Sequence, residues 1–196
     1  MRHPVEVVPR FKETAPEIVW LTAKDIEDQL AALTDSTQLR THVALYIYAG
    51  LRRSEGVWLM TADVDLEQKL IRVRRKTVDG VSWEPKTGKD RVVPINTKLL
   101  ALLRPYMESH RGLWLFPSPD GTRWHPDNFS DLLREVNAEH GLKWSCGHYR
   151  HTFGSHLAQK GVSLFKISEL MGNSPEICRR HYAALVPQEM HAEVEF

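Results

Sequence analysis

Apolar residues first recur at helical spacing after Thr22, where Ile26, Leu30 and Leu33 follow a threonine cap with Asp25 three positions on. A helix is predicted there. A second runs from about Thr37, buries Leu39, Val43 and Ile47, and ends at Gly50, a residue suited to the left-handed turn that closes a helix. Between 69 and 95 the period shortens to two. Ile71 and Val73 alternate with Arg72 and Arg74, Asp79-Gly80 is a hairpin signal, and Val92-Val93-Pro94-Ile95 reads as a third strand. A small three-stranded antiparallel sheet is expected, with Lys86 near the turn between its second and third strands. Helical spacing returns at about 97–109 and 127–140, on either side of the Ser118-Pro119-Asp120-Gly121 turn, and again at about 149–160, 164–171 and 175–185. The last of these opens with Ser174 as cap and Pro175 in the first helical position. The expected fold class is α+β, mainly α: a helical bundle with a small sheet on one flank. Pro4, Pro9 and Pro16 make residues 1–20 an extended lead-in.

The 196 residues suffice for one well-buried domain, with two small ones just possible. Lys plus Arg (26) nearly cancel Asp plus Glu (25), so net charge does not announce a nucleic-acid partner, and the distribution has to be read instead. Arg72-Val73-Arg74-Arg75-Lys76 and Lys86-Thr87-Gly88-Lys89-Asp90-Arg91 are local basic clusters, whereas Glu189, Glu193 and Glu195 make the tail acidic. Such patches suit phosphates on a molecule that is neutral as a whole. Cys146 and Cys178 form no CxxC, which argues against a disulfide framework or a cysteine zinc site and for a reducing, cytoplasmic compartment. No apolar run follows Met1-Arg2-His3-Pro4, so no signal peptide is read, and the Val43–Leu51 stretch is too short for a bilayer.

Candidate chemistry lies in four short segments: Gly50-Leu51-Arg52-Arg53-Ser54-Glu55, Arg150-His151-Thr152-Phe153, Gly172-Asn173-Ser174-Pro175 and His181-Tyr182. Two guanidiniums can fork donors onto a phosphate, and a phenol can attack it. In this order the segments resemble the tyrosine recombinases, or phage-type integrases, over about residues 20 to 190. The resemblance implies an integrase-type catalytic domain over 21–196 that cleaves and rejoins DNA strands through a 3′-phosphotyrosyl intermediate. Tyr182 matches the nucleophile, and Arg52 and Arg150 match the two arginines that stabilise the five-coordinate phosphorus. Lys86 matches the lysine that protonates the leaving 5′ oxygen. Glu55 is expected to orient an arginine. The family's basic clamp domain is not read here, and residues 1–20 resemble the linker that follows it.

Two positions depart from the family pattern. Gly147 stands where a histidine is usual, and Asn173 stands where a histidine or tryptophan is usual. His148 can substitute for the first only if Cys146–Tyr149 is still loop, because one helical step turns a side chain by about 100°. Asn173 can donate a hydrogen bond but takes no proton. Arg53, Arg74, Lys76, Lys89, Arg91, His151 and Arg179 are the expected contacts to DNA. The resemblance implies double-stranded DNA as partner, a homotetramer on DNA with a monomer when free, nucleoid association, and no cofactor or metal. His148, His151 and His156 near Cys146 fit no zinc spacing. The alternatives are a DNA-binding paralogue that does not cut and an enzyme like the type IB topoisomerases.

Overall fold

A computed structural model of the chain describes residues 18–187. Most of the 1–20 lead-in and the acidic tail positions Glu189, Glu193 and Glu195 lie outside the described residues. Helix α1 (Ala23–Ala31) starts as expected: the Thr22 hydroxyl accepts from the Asp25 backbone N–H at 3.2 Å, and Asp25 Oδ2 accepts the Thr22 N–H at 2.8 Å. Helix α2 (Thr37–Ala49) buries Val43, Ala44, Leu45, Tyr46, Ile47 and Ala49 together, so it is apolar on nearly all sides. Such a helix has to lie at the centre of a bundle. It packs against α4 (Thr97–Ser109) on one side and α6 (Cys146–Gln159) on the other. Gly50 ends it at φ 61°, and the Phe153 ring of α6 lies so close that a Cβ there would come within 2.3 Å of it. That contact brings the Gly-Leu-Arg turn against the helix that carries Arg150.

The sheet differs from expectation in its membership. β2 (Leu70–Val73) and β5 (Arg91–Pro94) pair antiparallel with Ile71 opposite Val93, and the third strand is the two-residue β1 (Val64–Asp65). β3 (Lys76–Val78) and β4 (Val81–Trp83) form a separate hairpin around Asp79-Gly80. Tertiary contacts hold this hairpin away from the sheet. Trp83 stacks on Trp58 with centroids 5.7 Å apart, and Lys76 Nζ donates to the Trp58 carbonyl at 3.0 Å. Lys86 lies in the turn between β4 and β5, where it was expected.

Helix α5 (Pro126–Glu139) precedes α6, and α7 (Leu164–Met171) and α8 (Pro175–Tyr182) follow it, with a 3₁₀ turn at Ala183–Leu185. Two apolar clusters result. The larger gathers α1, α2, α4, α5 and the sheet. The smaller, Ala158, Ile167, Met171, Cys178 and Tyr182, joins α6, α7 and α8. No helix among the described residues is long and apolar enough to cross a membrane.

Candidate active site

Arg52 stands between α2 and α3 (Arg53–Val57) in extended backbone, and it begins α3 through Glu55. Its backbone N–H donates to Glu55 Oε2 at 2.7 Å and its Nη1 to Glu55 Oε1 at 3.0 Å. Glu55 is 1% exposed, and it also receives Arg91 of β5 through both terminal nitrogens, at 2.8 and 2.6 Å. Burial alone would raise this carboxyl's pKa. The bonds and charge of Arg91, the Arg52 N–H and the charge of Arg150 outweigh it and hold the carboxyl below its usual range.

The end of α7 completes the arrangement. The last carbonyls of a helix lack partners within it and carry the negative end of its dipole. Here arginines take them: Arg91 Nε donates to Leu170 O at 2.9 Å, Arg150 Nη2 to Met171 O at 2.6 Å, and Arg52 Nη2 to Gly172 O at 2.6 Å. Arg150 Nη1 reaches back to the Gly50 carbonyl. Asn173 Oδ1 then accepts from Arg52 Nη2 at 2.7 Å and from Arg150 Nη2 at 2.9 Å. Burial, then the charge of Arg52, lowers the Arg150 pKa to about 10, which leaves it charged at neutral pH. Donors of two cations therefore converge on one neutral amide oxygen. An anionic oxygen suits that point better.

Tyr182, in the last turn of α8, lays its ring over Gly154 of α6. A Cβ at 154 would fall 2.5 Å from Cζ and 2.8 Å from the hydroxyl, so only glycine admits the ring. The phenol is 1% exposed, and its hydroxyl lies 3.1 Å from His151 Nδ1. Burial raises its pKa, and the nearby Arg150 charge opposes the rise. Gly154 lies four residues after Arg150 and three after His151, so each of them borders the Gly154 face of α6. The second arginine and the tyrosine hydroxyl thus meet on that face.

A model described as the phage integrase family matches residues 19–189. The chain belongs to the phage integrase family. It is similar to a tyrosine recombinase of Thermosipho africanus, 27% identical over 186 residues, covering 92% of this chain and 62% of that protein. The tyrosine recombinase XerA of Thermococcus kodakarensis is 31% identical over 172 residues, covering 85% of this chain and 57% of the relative. The chain thus spans about three fifths of the length of these curated relatives. Among solved structures, that of XerA recombinase superposes with a TM-score of 0.74 at 22% identity, covering 100% of this chain and 70% of that one. The catalytic domain of bacteriophage HP1 integrase gives 0.68 at 22% identity over 92% of this chain and 95% of that one. At such identity these two show a shared fold.

Other expected site residues of this integrase-family chain separate into three groups. The loop that His148 needed is corrected: α6 begins at Cys146, three residues before the predicted start, and His148 serves its cap. His148 Nδ1 lies 3.1 Å from the Ser145 backbone nitrogen and 2.9 Å from the Ser145 hydroxyl. His156 bonds the Leu21 carbonyl at 2.9 Å, so the three histidines once grouped with Cys146 face different partners.

Lys76, Arg91 and His151, expected as DNA contacts, each have a partner inside the protein. Lys76 pairs with buried Asp63 and has a side chain 9% exposed, and Arg91 pairs with Glu55 and is 8% exposed. A buried carboxylate needs a counter-charge, and these cations supply it. His151 is partnered with Tyr182. Its position directly after Arg150, and three before a glycine on the same helix face, was the signal available in the sequence.

Arg53 binds Ser130 at 2.7 Å and Asp127 at 3.0 Å, and Arg74 binds Asp63 at 2.9 Å; both remain partly exposed. Lys86, Lys89 and Arg179 are exposed. Thr87, Lys89 and Arg91 line a groove of about 560 Å³ that leads to Gly172 and Asn173.

Proposed function

We propose that this domain is the catalytic part of a site-specific DNA recombinase, which cuts and rejoins strands through a 3′-phosphotyrosyl link. The convergence of Arg52 and Arg150 on one oxygen, on the helix face that Tyr182 covers, carries this reading. A scissile phosphate entering along the groove takes the place of Asn173 Oδ1. Its non-bridging oxygens accept from both guanidiniums, which stabilise the added charge as phosphorus becomes five-coordinate. The Tyr182 oxygen bonds to phosphorus and the bond to O5′ breaks. Lys86, in its exposed turn beside the groove, protonates O5′. A 5′-hydroxyl of the partner strand reverses the step, so no external energy is needed. Tyr182 is 1% exposed, so phosphate engagement includes a local opening that uncovers its hydroxyl.

The partner is double-stranded DNA, contacted by Lys89, Arg179 and the exposed flank of Arg74. Solved relatives support this, since one is a transposon integrase in complex with transposon right end DNA, of TM-score 0.76 at 20% identity, covering 99% of this chain and 69% of that one. The assembly on DNA is a tetramer formed from free monomers, in a nucleoid-associated role.

The test is a nicked suicide duplex that traps the covalent intermediate, with Tyr182→Phe as control. A protein–DNA band that vanishes in the variant is the expected result. No band on DNA that the protein binds would indicate a non-cutting paralogue. Relaxation of supercoils with no recombinant product would indicate a topoisomerase.

A further inference from the structure

A phenol becomes a nucleophile at phosphorus only when some group takes its proton. Asn173 and the charged Arg150 have no site for it. Three histidines lie nearby, and their geometry separates them. His148 turns Nδ1 onto the Ser145 cap. His181 is adjacent to Tyr182 on α8, so it projects about 100° around the helix, with its ring centroid 6.0 Å from the tyrosine ring. His151 alone of the three has a ring nitrogen at hydrogen-bond distance from the Tyr182 hydroxyl, 3.1 Å. We propose that His151 is the catalytic proton acceptor for Tyr182, a role that rests on the recombinase reading above.

The local helix explains why residue 151 can serve. Gly147 lies four residues earlier, on the same face and one turn away. Helical side chains lean toward the N-terminus, and the position one turn before His151 in that direction carries no side chain. A Cβ at 147 would meet nothing nearer than Ser145 Oγ, at 3.6 Å. The space beside Gly147 is therefore open.

His151 is held ready to accept. Burial first, then the charges of His181, Arg150 and His148, lower its pKa to about 4, so the ring is neutral at neutral pH. With the proton on Nε2, Nδ1 presents its lone pair to the tyrosine O–H. A base this weak leaves the proton on the phenol in the free protein. A phosphodiester held by Arg52 and Arg150 adds negative charge beside the ring and offsets the Arg150 charge, which makes His151 more basic when DNA is bound. Proton transfer is thereby tied to occupancy of the arginine pair. In the forward step the Tyr182 oxygen bonds phosphorus, its proton passes to His151 Nδ1, and the O5′ bond breaks with a proton from Lys86. In rejoining, the attacking 5′-hydroxyl returns its proton to Lys86 and His151 reprotonates the departing phenolate.

Formation of the covalent band on the suicide duplex, timed across pH, tests this for the parent, His151→Gln and His148→Gln. His151→Gln is expected to slow the band by about 10²–10⁴-fold and to flatten the acid limb of the profile, while His148→Gln keeps that limb. A duplex with a 5′-bridging sulfur, whose leaving group needs no acid, should restore Lys86→Ala but not His151→Gln. Added imidazole should partly restore His151→Ala, which guards against a folding defect. Parental rate and pH profile in His151→Gln, or its full rescue by the sulfur duplex, would overturn the assignment and leave the recombinase reading intact. A parent that forms no band on bound DNA would overturn that reading, and this one with it.

Discussion

Two buried carboxylates in this domain are each held by two cations, yet they do different things. Asp63, fully buried, receives Lys76 and Arg74 from the β3–β4 hairpin and the strand end before it. Glu55, 1% exposed, receives Arg52 and Arg91. Lys76 directs its donors to Asp63 and the Trp58 carbonyl, so its charge is consumed in anchoring the hairpin. Arg52 is held by Glu55 through Nη1 and leaves Nη2 directed at Asn173. A carboxylate that fixes one edge of a guanidinium aims the other. The sites share their chemistry and differ in whether a donor is left over for a ligand.

Removing each carboxylate would break the comparison most forcefully. Glu55→Ala leaves Arg52 and Arg91 buried without their counter-charge and should cost about 3–5 kcal/mol, read by urea denaturation. It should also abolish the covalent DNA band in protein still folded. Asp63→Ala should cost a similar amount, but its folded fraction should retain the band. Loss of the band in both would mean that the two sites are not functionally distinct.

Arg91→Lys sharpens the same contrast. A lysine is a point charge that cannot fork onto both Glu55 oxygens while also reaching Leu170 O. We expect a loss of about 1.5–3 kcal/mol. The slope of log affinity for DNA against log salt should stay unchanged, because Arg91 spends its donors on Glu55 and Leu170 O. Lys89→Ala should instead leave stability alone and reduce that slope by about one.

What the sequence revealed follows from how local each signal is. The Thr22–Asp25 cap, the Gly50 stop and the α4 span each rest on residues within a few positions, and all appear as read. So do the family and the fold, because their motifs are short and ordered. Sheet membership was not legible, since β1 has only two residues and its pairing with β2 is tertiary. The pairs Lys76–Asp63, Arg91–Glu55 and His151–Tyr182 span 13, 36 and 31 residues. Isolated charges in a sequence read as solvated or ligand-binding, and only the fold shows which have an internal partner.

Gly154 tests the smaller apolar cluster. Gly154→Ala puts a methyl into the Tyr182 ring and should cost about 1–3 kcal/mol by overpacking. Because the ring must move off α6, the hydroxyl loses its place beside His151, and the band should slow well beyond the stability loss. A band at the parental rate would show that Tyr182 works from a position unrelated to the packed one.

Among the described residues, His42 is a buried titratable group with neither a counter-charge nor a partner for Nε2, the reverse of Glu55 and Asp63. It stacks on Phe116 and lies tilted against Phe129, both centroid distances 4.3 Å, and burial lowers its pKa from 6.5 to about 3. Between those values the unfolded chain binds a proton there and the folded one does not. Stability therefore falls as the pH drops from about 6.5 toward 3, with a slope of at most about 1.4 kcal/mol per pH unit from this group. His42→Phe keeps the aromatic stack and removes the titration. Denaturation of parent and variant side by side should show a flatter acid dependence in the variant, with the other histidines cancelling in the difference. Equal slopes would mean that His42 gains a proton in the folded state, and so has a counter-charge after all.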